Sequence, residues 1–362
     1  MATLQEAWTS TGVLDTVSGG QVLGGTSQFA SLPPAGMAVV TSIDVMTGAR
    51  NWSHDLITDV APGYVIHPPV LVEGQVWTGW SQVSRGPGGW QCGGGFVKLD
   101  PETGSREFTW PDQPTALVPY GEALAAAFRP CHSLPSGLVV LDPSQPLSIL
   151  WRGPAGAQVG RPVLVGELLL TSDAAMLHAF PAAGCGAPEC APLWTVDLGR
   201  VVRAVAAGPD GQAVVLAGPA DGPTEMLVVD AVDGSVVWQA VTGGAGAELA
   251  VGGDTVYVAG GDQVQAYDAA GCGATTCEPV WTAALPSPVS ANLAIAGGVV
   301  YAASSDGTVT ARAAAGCGAT TCEPIAQVSV PGQPTDLVVS NGRLLVGQGR
   351  GVTAVITAFA PS

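Results

Sequence analysis

Residues 269–279 read AAGCGATTCEP, and the same eleven residues return as 314–324. A looser copy, AAGCGAPECAP, occupies 182–192. Cys272 and Cys317 are 45 residues apart, a period shared by helical solenoids and by the blades of β-propellers. The sequence around the first copy decides between them. Short apolar and β-branched runs, Ala247 to Val251, Thr255 to Ala259, Val264 to Asp268 and Pro279 to Ala283, alternate with Gly and Asp turns. That is the pattern of four successive antiparallel strands, and four strands in a repeat of this length make a propeller blade.

Working outward from this repeat, an aspartate, a glycine turn and a tryptophan recur as Asp44, Gly48, Trp52; as Asp100, Gly104, Trp110; and as Asp230, Gly234, Trp238. The same anchor follows the cysteine loops at Trp194 and Trp281, Trp8 and Trp151 keep the spacing, and Ile325 stands where the tryptophan is replaced. Eight anchors predict an all-β, eight-bladed propeller of four-stranded antiparallel blades, a single domain over residues 1–362. In this reading Leu4 to Ser10 supply the outer strand of a last blade whose other strands run from Asp336 to Phe359, so that no sheet edge is left open.

Composition agrees. The 50 glycines and 29 prolines among 362 residues suit a chain of many turns, and 47% hydrophobic residues supply a core. Twelve basic residues against 29 acidic ones give a net charge of −17, which lacks the basic stripes of a nucleic-acid binder and favours solubility. No apolar run is long enough for a transmembrane helix.

The strand endings VKLDPETGSREFTW (97–110) and LVVDAVDGSVVWQ (227–239) resemble the PQQ-like repeat family, the eight-bladed propellers related to quinoprotein alcohol dehydrogenases. The resemblance covers nearly the whole chain and implies architecture more than activity. The family includes quinone-dependent dehydrogenases, an outer-membrane assembly lipoprotein of Gram-negative bacteria, and binding propellers. Its dehydrogenases hold a quinone on the propeller axis beneath two adjacent cysteines, with acidic and amide ligands for calcium. No two cysteines are adjacent here and no such ligand set can be matched. No cofactor, no metal, no catalytic residue and no quinone-dependent dehydrogenase activity are therefore expected.

Eight cysteines argue for an oxidising compartment. Cys185 with Cys190, Cys272 with Cys277 and Cys317 with Cys322 share one spacing and are expected to clip hairpins between third and fourth strands. A zinc site is disfavoured because each pair lacks partner ligands. Cys92 and Cys131 fall in equivalent connections of adjacent blades, and a disulfide between them is expected. The protein is expected to be exported, its signal segment removed, and monomeric.

Blades one to three depart from the repeat. TSQFASLPPAG from Thr26, VAPGYVIHPP, WSQVSRGPGGWQCGGG and FRPCHSLPSG interrupt otherwise short connections, and such insertions on one face of a repeat array usually mark the functional side. Trp80 and Trp90 flank a polar segment with Arg85 and suit stacking on a sugar or another planar ligand. Tyr64, His67, Arg129 and His132 fall nearby and offer acid, base and anion-binding groups. The recurring Asp173, Asp262 and Asp306 are expected to shape turns, and His178 to be structural. The function expected is a non-enzymatic propeller that binds a glycan, another small molecule or an envelope protein through these loops. The alternative is a secreted polysaccharide lyase or hydrolase with its site on the same face.

Overall fold

The computed structural model describes residues 4–11, 13–14, 27–32, 37–58, 64–86, 89–110, 114–128, 137–145, 148–154, 160–219, 222–242, 244, 247–349 and 354–361. They form thirty-two strands and, among the described residues, no helix. After β1 (Leu4–Thr11), the first sheet comprises β2 (Val13–Leu14), β3 (Ser27–Leu32), β4 (Met37–Asp44) and β5 (Arg50–Thr58). The second comprises β6 (Tyr64–Val72), β7 (Gln75–Gly86), β8 (Gly89–Leu99) and β9 (Arg106–Trp110). The third holds β10 (Pro114–Tyr120), β11 (Ala123–Phe128), β12 (Gly137–Asp142) and β13 (Ser148–Arg152). The fourth holds β14 (Val163–Val165), β15 (Leu168–Asp173), β16 (Met176–Pro181) and β17 (Trp194–Asp197).

The fifth sheet is β18 (Val202–Ala207), β19 (Gln212–Ala217), β20 (Glu225–Asp230) and β21 (Val236–Val241). The sixth, β22 (Glu248–Gly252), β23 (Thr255–Gly260), β24 (Gln263–Asp268) and β25 (Trp281–Ala284), follows the strands expected from its sequence to within two residues. The seventh is β26 (Ala294–Ala296), β27 (Val299–Ala303), β28 (Thr308–Ala313) and β29 (Ala326–Ser329). In the eighth, β30 (Pro334–Ser340), β31 (Arg343–Gln348) and β32 (Val355–Pro361) are followed by β1, which pairs antiparallel with β32 from Leu4↔Pro361 to Thr11↔Val355. Eight four-stranded antiparallel sheets are the architecture of an eight-bladed propeller, and each is a blade below.

Second and third strands carry the core. Every residue of β11 is buried, as are Ala213 to Ala217 of β19 and Val256 to Gly260 of β23. Apolar clusters run from one blade into the next, as where Val214, Val228 and Trp238 of blade 5 pack on Val256, Val258 and Tyr267 of blade 6. These strands read as continuous apolar runs because both of their faces meet a neighbouring blade.

The outer-strand aromatics explain the repeat. Trp238 stacks on the turn between the third and fourth strands of the next blade, and its Nε1 donates to Ala269 O at 3.0 Å. Gly271, at φ +82°, lies beneath the ring, where a Cβ would fall 2.7 Å from Trp238 Cδ1. The same donation runs from Trp8 to Val45 O, Trp52 to Pro101 O, Trp151 to Ala182 O and Trp194 to Ala231 O. The turn aspartate holds its own loop, as where Asp44 Oδ1 accepts from Met46 N and Thr47 N at 2.9 and 2.8 Å. Asp306 does the same for Thr308 N, which is turn chemistry.

Two anchors differ from those expected. Register places Phe108 opposite Lys98, two residues before Asp100, as Trp52 is opposite Ser42; Phe108 packs on the cluster shared by blades 2 and 3. Phe108, not Trp110, is thus the blade 2 anchor. In blade 7, Ala326 pairs with Ala311 as Trp281 pairs with Ala266, so the replaced tryptophan is Ala326 and Ile325 points outward, 43% exposed. The physical reason is the neighbour: β32 and β1 of blade 8 are not joined by a turn that can receive an indole.

Cys185–Cys190, Cys272–Cys277 and Cys317–Cys322 are disulfides, each between third and fourth strands. Each loop also adds a short parallel bridge to the outer strand of the preceding blade, at Arg152↔Glu189, Gln239↔Thr276 and Thr282↔Thr321. Gln239 N donates to Thr275 O and Cys277 N returns to Gln239 O, both at 2.9 Å. The clips therefore join blades as well as closing hairpins.

Candidate functional site

Blade 2 breaks the regularity of the ring. β7 and β8 have 12 and 11 residues, where the second strand of every other blade has 5 or 6. Their ladder runs unbroken from Val76↔Leu99 to Gly86↔Gly89. Beyond Ser81↔Gly94 this leaves five rungs, from Gln82↔Gly93 outward, that no other blade shows among the described residues. At about 3.4 Å per residue the hairpin arm extends roughly 17 Å. The segment WSQVSRGPGGWQCGGG, read from sequence as a loop insertion, is a hairpin whose ladder reaches Gly86↔Gly89.

Several residues named from sequence lie on this arm or at its base. Arg85 and Trp90 occupy opposing positions one rung from its tip, and Cys92 opposes Val83; their side chains lie outside the described residues. Trp80 opposes Ile66 and Gly95 and packs on the cluster of Trp52, Val76 and Val97, at the root of the arm. Tyr64 begins β6 opposite Gln82, its side chain outside the described residues. His67, opposite Gly79, is buried at 6% exposure, and its carbonyl accepts from Thr78 Oγ1 at 2.8 Å. Arg129, Cys131 and His132 lie outside the described residues, and with them the expected Cys92–Cys131 bond. Backbone positions thus bring Tyr64, Arg85 and Trp90 to one hairpin system, and His67 into the blade beneath it. His178 sits in β16 with Nδ1 2.9 Å from Thr195 Oγ1, and burial lowers its pKa.

Sequence reasoning missed the axis. A cavity of about 510 Å³ is lined by Arg161, Arg203, Glu248 and Asn292, among others, from the inner edges of blades 4 to 7. Arg203 Nε donates to Gly218 O at 2.9 Å. Asn292 clasps blade 8, donating from Nδ2 to Leu337 O at 2.9 Å and accepting from Leu337 N at 2.8 Å. Burial, reinforced by Asp336, raises the Glu248 pKa and favours its neutral form. No group of three His, Cys, Asp or Glu suited to a metal occurs among the described residues. The donor set here does not fit a calcium-bound quinone, and no chemistry is routed through one.

Residues 183–271 and 224–357 match the PQQ-repeat family model described as outer membrane protein assembly factor BamB. No curated protein matches the sequence. Among solved structures, BamB from Moraxella catarrhalis is similar with a TM-score of 0.63, 16% identity and 99% of each chain covered. The computationally designed Ika8 protein gives 0.67 at 13% identity, over 97% of this chain and 100% of that one. Quinohemoprotein alcohol dehydrogenase from Comamonas testosteroni gives 0.65 at 12% identity, over 98% of this chain and 76% of that one. Identities this low carry the fold and no activity. The second half of this chain, residues 183–357, thus matches the PQQ-like repeat family, and the whole chain is similar in fold to all three structures.

Proposed function

We propose that the protein is an exported, non-enzymatic binding propeller, one domain closed on itself by β1, whose partner docks on the face that carries the blade 2 arm. The observation that carries this reading is the arm itself. It lengthens one hairpin by five rungs, and a projection of this kind is a means of reaching a partner. Among the described strands none pairs with residues 89–95 of β8 on the edge that β9 occupies further along, so the glycine-rich Gly93–Gly95 stretch offers a backbone edge for strand addition. A protein partner suits such an edge better than a glycan. The likeness to BamB, named as an assembly factor, supports the same class, and three disulfides support an extracytoplasmic setting.

The test replaces residues 83–92 by a two-residue Asn-Gly turn and compares site-specific photocrosslinking from the arm and from blade 5 in the source envelope. The expected outcome is a discrete protein adduct from the arm only, lost in the shortened variant, whose thermal midpoint stays within a few degrees of the parent. Polysaccharide turnover abolished by His132→Ala would instead establish the enzyme alternative.

A further inference from the structure

The axial cavity of about 510 Å³ is lined from blades 4 to 7, apart from the blade 2 arm, and both Arg161 and Arg203 border it. The chain has only 12 basic residues against 29 acidic ones, so two guanidinium groups on one cavity concentrate scarce positive charge. Glu248 shares the lining but forms an ion pair with neither arginine. The charge that acts on its carboxyl is that of Asp336, which together with burial raises its pKa. The acid and the bases thus border one space without neutralising each other.

Arg203 sits at a bulge. The β18–β19 register slips between Val202 and Ala204, and a bulge re-aims the side chain it displaces. The inner strands of blades 3 and 8 slip at corresponding places, and there the displaced residue is a threonine, Thr115 or Thr335. Thr115 Oγ1 donates to Ala127 O at 3.2 Å. Arg203 makes the comparable bond with Nε, to Gly218 O at 2.9 Å, and is itself exposed. That bond fixes the plane of the guanidinium and leaves its Nη1–Nη2 fork without a protein partner among the described residues. The bulge needs no more than a threonine, and the arginine adds a charge.

A space is kept open in the same lining. Gly160 lacks the positive φ that would demand a glycine, yet a Cβ there would fall 2.6 Å from Ser172 Oγ. The glycine therefore leaves room for the Ser172 hydroxyl, half-buried in the cavity wall and without a partner among the described residues.

We infer that the axial cavity binds a phosphate monoester. The two guanidinium charges match the two charges of the dianion, and the Nη fork of Arg203 suits two phosphate oxygens side by side. Ser172 Oγ supplies a further donor, and Glu248, held toward its neutral form, donates from its carboxyl instead of repelling the ligand. A monocarboxylate, with one charge and two oxygens, would leave half of these donors unused. The volume lies within the range of small-ligand pockets and leaves room for the organic part of the ester.

The experiment is calorimetry on the full chain at fixed ionic strength, with glucose 6-phosphate and glycerol phosphate as probes and acetate and glucose as controls, all at millimolar concentration. Sedimentation with phosphatidylcholine vesicles, plain or containing phosphatidic acid, runs beside it. Binding of a soluble probe assigns a soluble monoester and binding of the phosphatidic acid vesicles alone assigns a lipid headgroup; either supports the inference. Arg203→Gln or Ser172→Ala is expected to weaken that binding about tenfold. Ser172→Ala should keep the thermal midpoint of the parent, since the hydroxyl it removes has no partner to lose, so its effect on binding is separate from folding. Arg200→Gln alters a cation that pairs with Glu225 at 2.8 Å and is not part of the lining; this variant and the shortened arm should leave binding unchanged. The inference is overturned if no phosphate monoester binds, if acetate binds as tightly, if both Arg203→Gln and Ser172→Ala leave binding intact, or if Arg200→Gln or the shortened arm weakens it as much.

Discussion

Glu248 shows how one residue on the axis ties stability to pH. Burial and the nearby Asp336 raise its pKa above the ordinary glutamate value of 4.5, so the folded chain holds this proton more tightly than the unfolded one. Stability from this group is then fully present below pH 4.5 and falls as pH rises toward the folded value. Glu248→Gln removes the dependence. The variant is expected to match the parent in thermal midpoint at acid pH and exceed it at neutral pH, in melts recorded across that range. An unchanged difference at all pH values would mean that the carboxylate is already satisfied. The turn aspartates carry the opposite sign: hydrogen bonds from Thr103 and Ser144 lower the pKa of Asp100 and Asp142, so their contribution is lost as pH falls. Such turns were legible in the sequence because Asp bonds its own loop locally. Glu248 was not, because its environment comes from strands in blades 4 to 8 that are distant in the chain.

At the scale of elements, the cysteine loops and the arm are the two departures from a plain four-stranded blade. The C-x4-C spacing revealed each hairpin clip, but the parallel bridge that each loop makes to the preceding blade is a contact between repeats and leaves no local signal. Replacing Cys272 and Cys277 by serine should cost roughly 2 kcal/mol from loop closure alone. Because the same loop holds Gln239 through Thr275 O and Cys277 N, amide exchange should accelerate at Gln239 in blade 5 as well as in the loop. Exchange confined to residues 269–279 would refute the bridging role. The arm shows the complementary case: sequence marked blade 2 as overlong, yet its glycines and polar residues suggested a loop. Only the pairing of Gln82↔Gly93 through Gly86↔Gly89 distinguishes a paired hairpin from an open loop.

Across the whole molecule, the anchors decide how blades meet. Their 41- to 58-residue spacing gave the blade number, while their exact positions in blades 2 and 7 required the strand register, since Trp110 and Ile325 each lie within two residues of the true position. Trp8 joins blade 8 to blade 1, donating to Val45 O at 2.9 Å and packing with Ile43, Val45, Val338 and Ile356. Trp8→Ala is expected to cost about 3 kcal/mol in denaturant unfolding and to speed amide exchange in β1 and β32 before other strands. Equal loss across all blades would argue against a closing role for β1.

Ala326 sets the mechanics of this ring. Seven of the eight junctions are fastened at their outer rim by an aromatic ring, and the eighth, from blade 7 to blade 8, has a methyl group in its place. There the fastening moves inward to the paired bonds between Asn292 and Leu337. A ring fastened so unevenly is expected to open first at this joint, with the inner edge as pivot. Tension across the molecule should meet the least resistance between blades 7 and 8.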